Sequence, residues 1–185
     1  HSGGHGANFV NTTFLCTCSD AALYRKSVEL ADAFGAPYMY AVNGLASPTG
    51  FDPAAHAQNI PFMSTELGGG FIDTESIRIG YNGVQNVLAH LSILPETMGN
   101  KVSKNPIYLD AVNGGGAILA PFEGLFEARF NTGDSVKEGQ LAGVLYSLDE
   151  VERPPKELHF NSSGIVAIKK SGSRVVHGTR ICNTA

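Results

Sequence analysis

Two short stretches hold residue types that could do chemistry: Thr65-Glu66-Leu67-Gly68-Gly69-Gly70 and, at the start of the sequence, His1-Ser2-Gly3-Gly4. Glu66 follows the apolar run Ile60-Pro61-Phe62-Met63 and precedes three glycines. That setting suits a carboxylate at the end of a buried strand, with backbone able to approach a ligand closely. A carboxylate so placed either pairs with a cation or moves protons. His1 brings an imidazole, which can ligate a metal ion or stay solvated. If both belong to one site, the chain carries half of a metallohydrolase centre. The residues alone also allow a salt-bridged structural Glu66 and a frayed His1.

Other polar residues are less pointed. His5 lies four residues after His1 among glycines and could touch substrate, add a second ligand or remain solvated. Gly68–Gly70 is no phosphate loop, because no Lys-Ser/Thr follows. Gly68 and Gly69 would instead form a tight turn beneath a substrate. Arg78 is a candidate for gripping a substrate carboxylate, or an exposed helix arginine. His56, His90, His159 and His177 have no partner at ligand spacing.

These residues need elements to position them. Asn8–Cys18 reads as one strand, rich in β-branched and aromatic residues. Ser19 or Asp20 can cap a helix carrying Leu23, Leu30 and Phe34, with Gly35 and Pro37 as stop signals. Residues 37–42 and 60–67 are further strands, and 43–59 is an ordered loop near the site. A helix from Asp73 or Thr74 to before Pro95 would bury Ile77, Tyr81, Val84, Leu88 and Leu91. Strands separated by helices predict a parallel or mixed sheet with function at strand ends.

After a polar linker at 96–106 the pattern turns all-β. Gly133-x-x-Val136-x-x-Gly139 recurs as Gly172-x-x-Val175-x-x-Gly178, about 40 residues apart. Two copies suit a small pseudo-twofold barrel of two interlocked hairpin sheets, with glycines at positive-φ turns and valines in the core. The predicted division is 1–98, an α/β sheet-and-helix domain, and 107–185, a small all-β barrel. Glu123 and Phe126 of the barrel could form a lid over the site.

Composition excludes some classes. The chain has 185 residues, 43% hydrophobic, with 22 glycines, too apolar for disorder. A net charge of −4 with 13 Lys and Arg leaves no basic stripe for nucleic acid. No run reaches the ~20 apolar residues that span a bilayer. Three cysteines make no disulfide framework, and Cys16 and Cys18 read as thiols in a reducing cytoplasm.

In order along the chain, His1-Ser2-Gly3-Gly4, Ala33-Phe34-Gly35-Ala36-Pro37, Thr65–Gly70 and Gly83-Val84-Gln85-Asn86-Val87-Leu88 resemble motifs of the succinylglutamate desuccinylase/aspartoacylase family. The similarity is greatest to its N-acetyl-diaminobutyrate deacetylase branch. It implies a zinc-dependent amide hydrolase on a carboxypeptidase-like fold, with His1 as one zinc ligand and Glu66 as general base and acid. The family's His-x-x-Glu ligand pair would precede His1, so the chain by itself is expected to be inactive. The second half resembles the barrel after that catalytic domain, akin to biotinyl and lipoyl carriers. Its hairpin 147–155 has no modifiable Lys, and Lys156 lacks the flanking motif, which disfavours a carrier.

The expected substrate is a small N-acylated amino acid, the cofactor one Zn2+ and the location cytoplasmic, without membrane or nucleic acid. Sheet edges left open would favour a homo-oligomer or association with an N-terminal fragment. The competing reading is a non-catalytic binding or assembly module that keeps a hydrolase remnant.

Overall fold

The computed structural model describes residues 1–43, 50–70, 73–99, 105–112, 115–150 and 152–185. Residues 44–49 of the expected loop and 100–104 of the expected linker lie outside the described residues. The segment expected as one strand over 8–18 is two, Ala7–Phe9 (β1) and Thr12–Cys16 (β2), with a break at Val10-Asn11. The break matters, because the two strands enter different sheets.

Ala21–Phe34 (α1) starts at Asp20, whose carboxylate accepts from the Ala22 and Leu23 amides at 2.8 and 3.0 Å. It ends at Gly35, held at φ 78°. The chain returns through Tyr38–Val42 (β3), Phe51–Ala57 (α2) and Ser64–Glu66 (β4), so a short helix occupies part of the expected loop. Thr74–His90 (α3) follows, capped by Asp73, which accepts from the Ser76 amide at 2.7 Å. Ile107–Asp110 (β5) completes a sheet in the order β4-β2-β3-β5, with β2, β3 and β5 parallel and β4 antiparallel.

The predicted face of α3 is corrected. Ile77, Tyr81, Val84 and Leu91 are exposed, and the helix buries Ser76, Ile79, Gly83 and Asn86 instead. The close approach to α1 decides this: a Cβ at Gly83 would run into the Phe34 ring. A small-residue face fits that ring and the bulky apolar face does not.

The second half is all-β: Gly116–Leu119 (β6), Gly124–Ala128 (β7), Ser135–Val136 (β8), Leu141–Ser147 (β9), Lys156–His159 (β10), Gly164–Lys170 (β11), Arg174–Val175 (β12) and Arg180–Thr184 (β13). One sheet runs β1-β11-β13-β6 with β8 also on β11, and the other β10-β9-β7-β12. The two repeats exchange strands. β8 of the first pairs with β11 of the second, and β12 of the second pairs with β7 of the first. Gly133, Gly139, Gly172 and Gly178 all take positive φ, and Val136 and Val175 share one core.

The expected small barrel of two interlocked hairpin sheets is seen in part, as sheets that exchange strands. Among the described residues no closed barrel is found; the strands form two sheets around a common core. Two-residue strands such as β8 and β12 pair over too short a span to close the seam. The two halves are also joined. β1 pairs with β11 from Ala7↔Lys170 to Phe9↔Ile168. Val10, Tyr40 and Leu109 of the first half share a core with Ala167 of the second.

Candidate active site

Glu66 sits at the end of β4, paired with Thr12. The segment His1–Gly4 lies along the backbone that follows it. The His1 carbonyl accepts from the Leu67 amide at 2.9 Å, and the Gly3 amide donates to the Gly68 carbonyl at 3.1 Å. The Gly70 amide donates in turn to the Gly4 carbonyl. The Gly68 carbonyl also accepts from the Phe9 amide at 3.2 Å, so three backbone segments meet there. Such crowding requires glycine: a Cβ at Gly3 or at Gly69 would strike the Ala7 carbonyl oxygen.

This lacing sets the His1 Nδ1 3.0 Å from the Glu66 Oε2. The His1 side chain is 75% exposed and that of Glu66 only 20%. Burial raises the Glu66 carboxyl above its ordinary pKa, and the positive charge of the His1 amino group offsets part of the rise. The pair first read from two separated motifs therefore meets in space.

Glu66 lines a cleft of about 510 Å3 between the sheet-and-helix half and the β13-bearing sheet. Phe9, Phe14 and Tyr40 line it with aromatic rings in contact, Phe9 edge-on to Phe14 and Phe14 tilted against Tyr40 with centroids 4.9 Å apart. Cys16 faces the same cleft beside Asp52 of α2. Burial, then the hydrogen bond and negative charge of Asp52, push the Cys16 thiol up to about 12. It is a neutral thiol at physiological pH, not a nucleophile.

The remaining sequence candidates lie elsewhere. His5 is exposed in a turn and does not line this cleft. Gly68 and Gly69 act through backbone, shaping the strand end. Arg78 is exposed on α3, its guanidinium bonded to both oxygens of Glu75 and away from the cleft. Glu123 pairs with Arg174 at 2.8 Å, and Phe126 is buried in the β core, so neither covers the site. The second half reaches the cleft through Ile168, Arg180 and Asn183. No motif signalled Asp52, Arg180 or Asn183, because none lies near the catalytic-looking segments in sequence.

The donors test a metal only partly. Among the described residues no group of three or more His, Cys, Asp and Glu could hold an ion. His1 and Glu66 are donors of the right chemistry for zinc, which needs three or four protein ligands. By themselves they do not compose a zinc site.

Comparison with known proteins agrees with the motifs. No protein-family model matches the chain. It is 31% identical over 183 residues to the N-alpha-acetyl-L-2,4-diaminobutyric acid deacetylase of Halomonas elongata, covering 98% of this chain and 53% of the relative. The product-bound structure of the ectoine utilization protein EutE from Ruegeria pomeroyi superposes with a TM-score of 0.89 at 25% identity. That match covers 100% of this chain and 56% of EutE. The succinylglutamate desuccinylase/aspartoacylase of Rhodobacter sphaeroides superposes with a TM-score of 0.88 at 27% identity, over 100% and 56% of the two chains. The chain thus spans about half the length of the relatives it matches. Along its whole length it is homologous to the C-terminal portion of proteins of the succinylglutamate desuccinylase/aspartoacylase family.

Proposed function

We propose that this chain forms part of a deacylase that hydrolyses the amide bond of a small N-acylated amino acid. The observation that carries the reading is Glu66: a shielded carboxylate of raised pKa, facing a cleft, with an imidazole 3.0 Å away. Printed names of the relatives, a deacetylase and a desuccinylase, support the same reaction class.

Hydrolysis adds water across the acyl C–N bond and releases a carboxylic acid and an amine. Glu66 is suited to the proton bookkeeping of that reaction. As a carboxylate it takes a proton from the attacking water. As a carboxylic acid it returns the proton to the departing nitrogen. Burial, which raises its pKa, favours the step in which the carboxyl holds the proton before returning it. The zinc expected from the family resemblance would supply Lewis-acid polarisation of the acyl carbonyl. His1 would be one of its ligands, and the other ligands would lie outside these residues. The isolated 185-residue chain is therefore expected to be inactive.

The test is deacylation of N-α-acetyl-L-2,4-diaminobutyric acid by the full-length protein and its Glu66→Gln variant. A general base contributes roughly 10²–10⁴-fold, so kcat should fall by that range. An unchanged kcat would remove Glu66 from the chemistry. Deacylation by the isolated chain would overturn the inferred need for further ligands.

A further inference from the structure

The wall that β13 contributes to the cleft carries a solvent-exposed guanidinium, Arg180, and a buried amide oxygen without a partner, Asn183 Oδ1. A regular strand sends alternate side chains to opposite faces. Here Arg180 pairs with Leu119 and Cys182 with the adjacent Ile118, so two steps on β13 match one on β6. This is a bulge, a device that re-aims side chains. Its effect is direct: neighbouring Ile181 and Cys182 both enter the β core, while Arg180 and Asn183 both face the cleft. Without the inserted residue, Arg180 would share the face of Cys182 and Thr184 and point inward.

The two groups differ in setting: Arg180 is exposed to solvent at the cleft edge, and Asn183 is partly buried. Arg180 forms no ion pair among the described residues, and its nearness to the cleft floor shows in Tyr40. Burial raises the Tyr40 phenol, and the Arg180 charge pulls it partway back. The Asn183 Oδ1 is buried and accepts no hydrogen bond among the described residues. A buried acceptor left unmet costs free energy, so the site is built to be completed by a donor. A guanidinium matches a carboxylate with two parallel N–H···O bonds.

From this geometry we infer that Arg180 and Asn183 form the substrate-recognition wall: Arg180 binds the α-carboxylate, and Asn183 accepts an N–H from the acylamino acid. The inference rests on the deacylase reading for its ligand class. An N-acylated α-amino acid presents a carboxylate and an amide N–H about one carbon apart, the pair this wall can read. Neither residue takes part in the proton transfers. They set which molecule is held against Glu66.

The experiment measures binding by isothermal titration calorimetry to the full-length protein carrying Glu66→Gln, in which turnover is expected to be slowed. The probes are N-α-acetyl-L-2,4-diaminobutyrate and its α-carboxamide, which lacks the negative charge. The acid should bind at least about ten-fold more tightly than the amide, in line with a charge-assisted pair. Adding Arg180→Ala should erase the preference, leaving both probes within two-fold of each other, whereas Arg180→Lys should keep part of it. Adding Asn183→Ala should weaken both probes equally. Circular dichroism and the melting temperature verify that the variants fold. A preference that survives Arg180→Ala, or none in the protein that retains Arg180, overturns the inference. The deacylase reading fails separately: an unchanged kcat in Glu66→Gln sinks it even if an Arg180-dependent preference is found.

Discussion

Burial acts in one direction on two acids of the same cleft: it weakens both Glu66 and Cys16. For Glu66 that suits a group that must both accept and return a proton. For Cys16 it means protection, since the thiolate is the reactive form. With its pKa near 12, Cys16 should be alkylated by iodoacetamide at pH 8 far more slowly than a free thiol. Asp52→Asn removes a negative charge that raises this pKa and leaves only a weaker, neutral acceptor, so the Cys16 pKa falls and its alkylation speeds up. Burial remains the larger cause, which limits the gain to about ten-fold, one pKa unit. Peptide mass spectrometry after timed alkylation reads the outcome; an unchanged rate would discount Asp52. The His1–Glu66 pair was legible through the resemblance of His1-Ser2-Gly3-Gly4 and Thr65–Gly70 to motifs of one family, since the residues alone left a structural Glu66 and a frayed His1 open. Asp52, Arg180 and Asn183 were not, because their roles arise only when distant segments share a cleft.

At the level of elements, glycine decides two contacts. A Cβ at Gly69 would meet the Ala7 backbone, which no side-chain rotation can relieve. Gly69→Ala should therefore push His1–Gly4 away from Glu66–Gly70, lowering both the melting temperature and deacylation in the full-length protein. Wild-type kcat in that variant would show the lacing to be dispensable. At Gly83 the obstacle is the Phe34 ring, and Gly83→Ala should cost about 1–3 kcal/mol in urea unfolding, as overpacking does. Trimming the ring with Phe34→Leu in the same chain should recover part of that loss, a coupling that a double-mutant cycle measures. The same contact explains why the face of α3 was misread. Helical periodicity revealed an apolar stripe, but Gly83 against Phe34 selects the other side, and shape complementarity is invisible to hydropathy. α1 was easier to read, since Asp20 and Gly35 mark its ends by local chemistry. The split of β1 from β2 was hidden inside one uninterrupted β-favouring run.

The whole molecule is held together across its middle by β1 on β11 and by the shared core around Tyr40 and Ala167. Cleavage at a protease site placed within 101–104 should therefore leave two pieces that co-elute in gel filtration, and separation without denaturant would contradict this. The β half also carries a pH signature. Burial raises the Cys182 thiol to about 11, so its folded pKa exceeds the unfolded one. The stability gained by burying the neutral thiol is complete below about pH 9 and is lost as pH climbs through 11. Thermal unfolding across that window should show a falling midpoint, with a shallower fall in Cys182→Ala. The repeat of Gly-x-x-Val-x-x-Gly made this half readable as paired hairpins, while its failure to close depends on strand lengths that turn motifs do not encode. The bulge at Arg180 has one more implication. Its inner residues are rooted in hydrophobic packing and its outer ones border the cleft, so changes in the interior of the β half can reshape the cleft's rim. The recognition proposed for Arg180 and Asn183 can thus drift through the scaffold while the surroundings of Glu66 stay untouched.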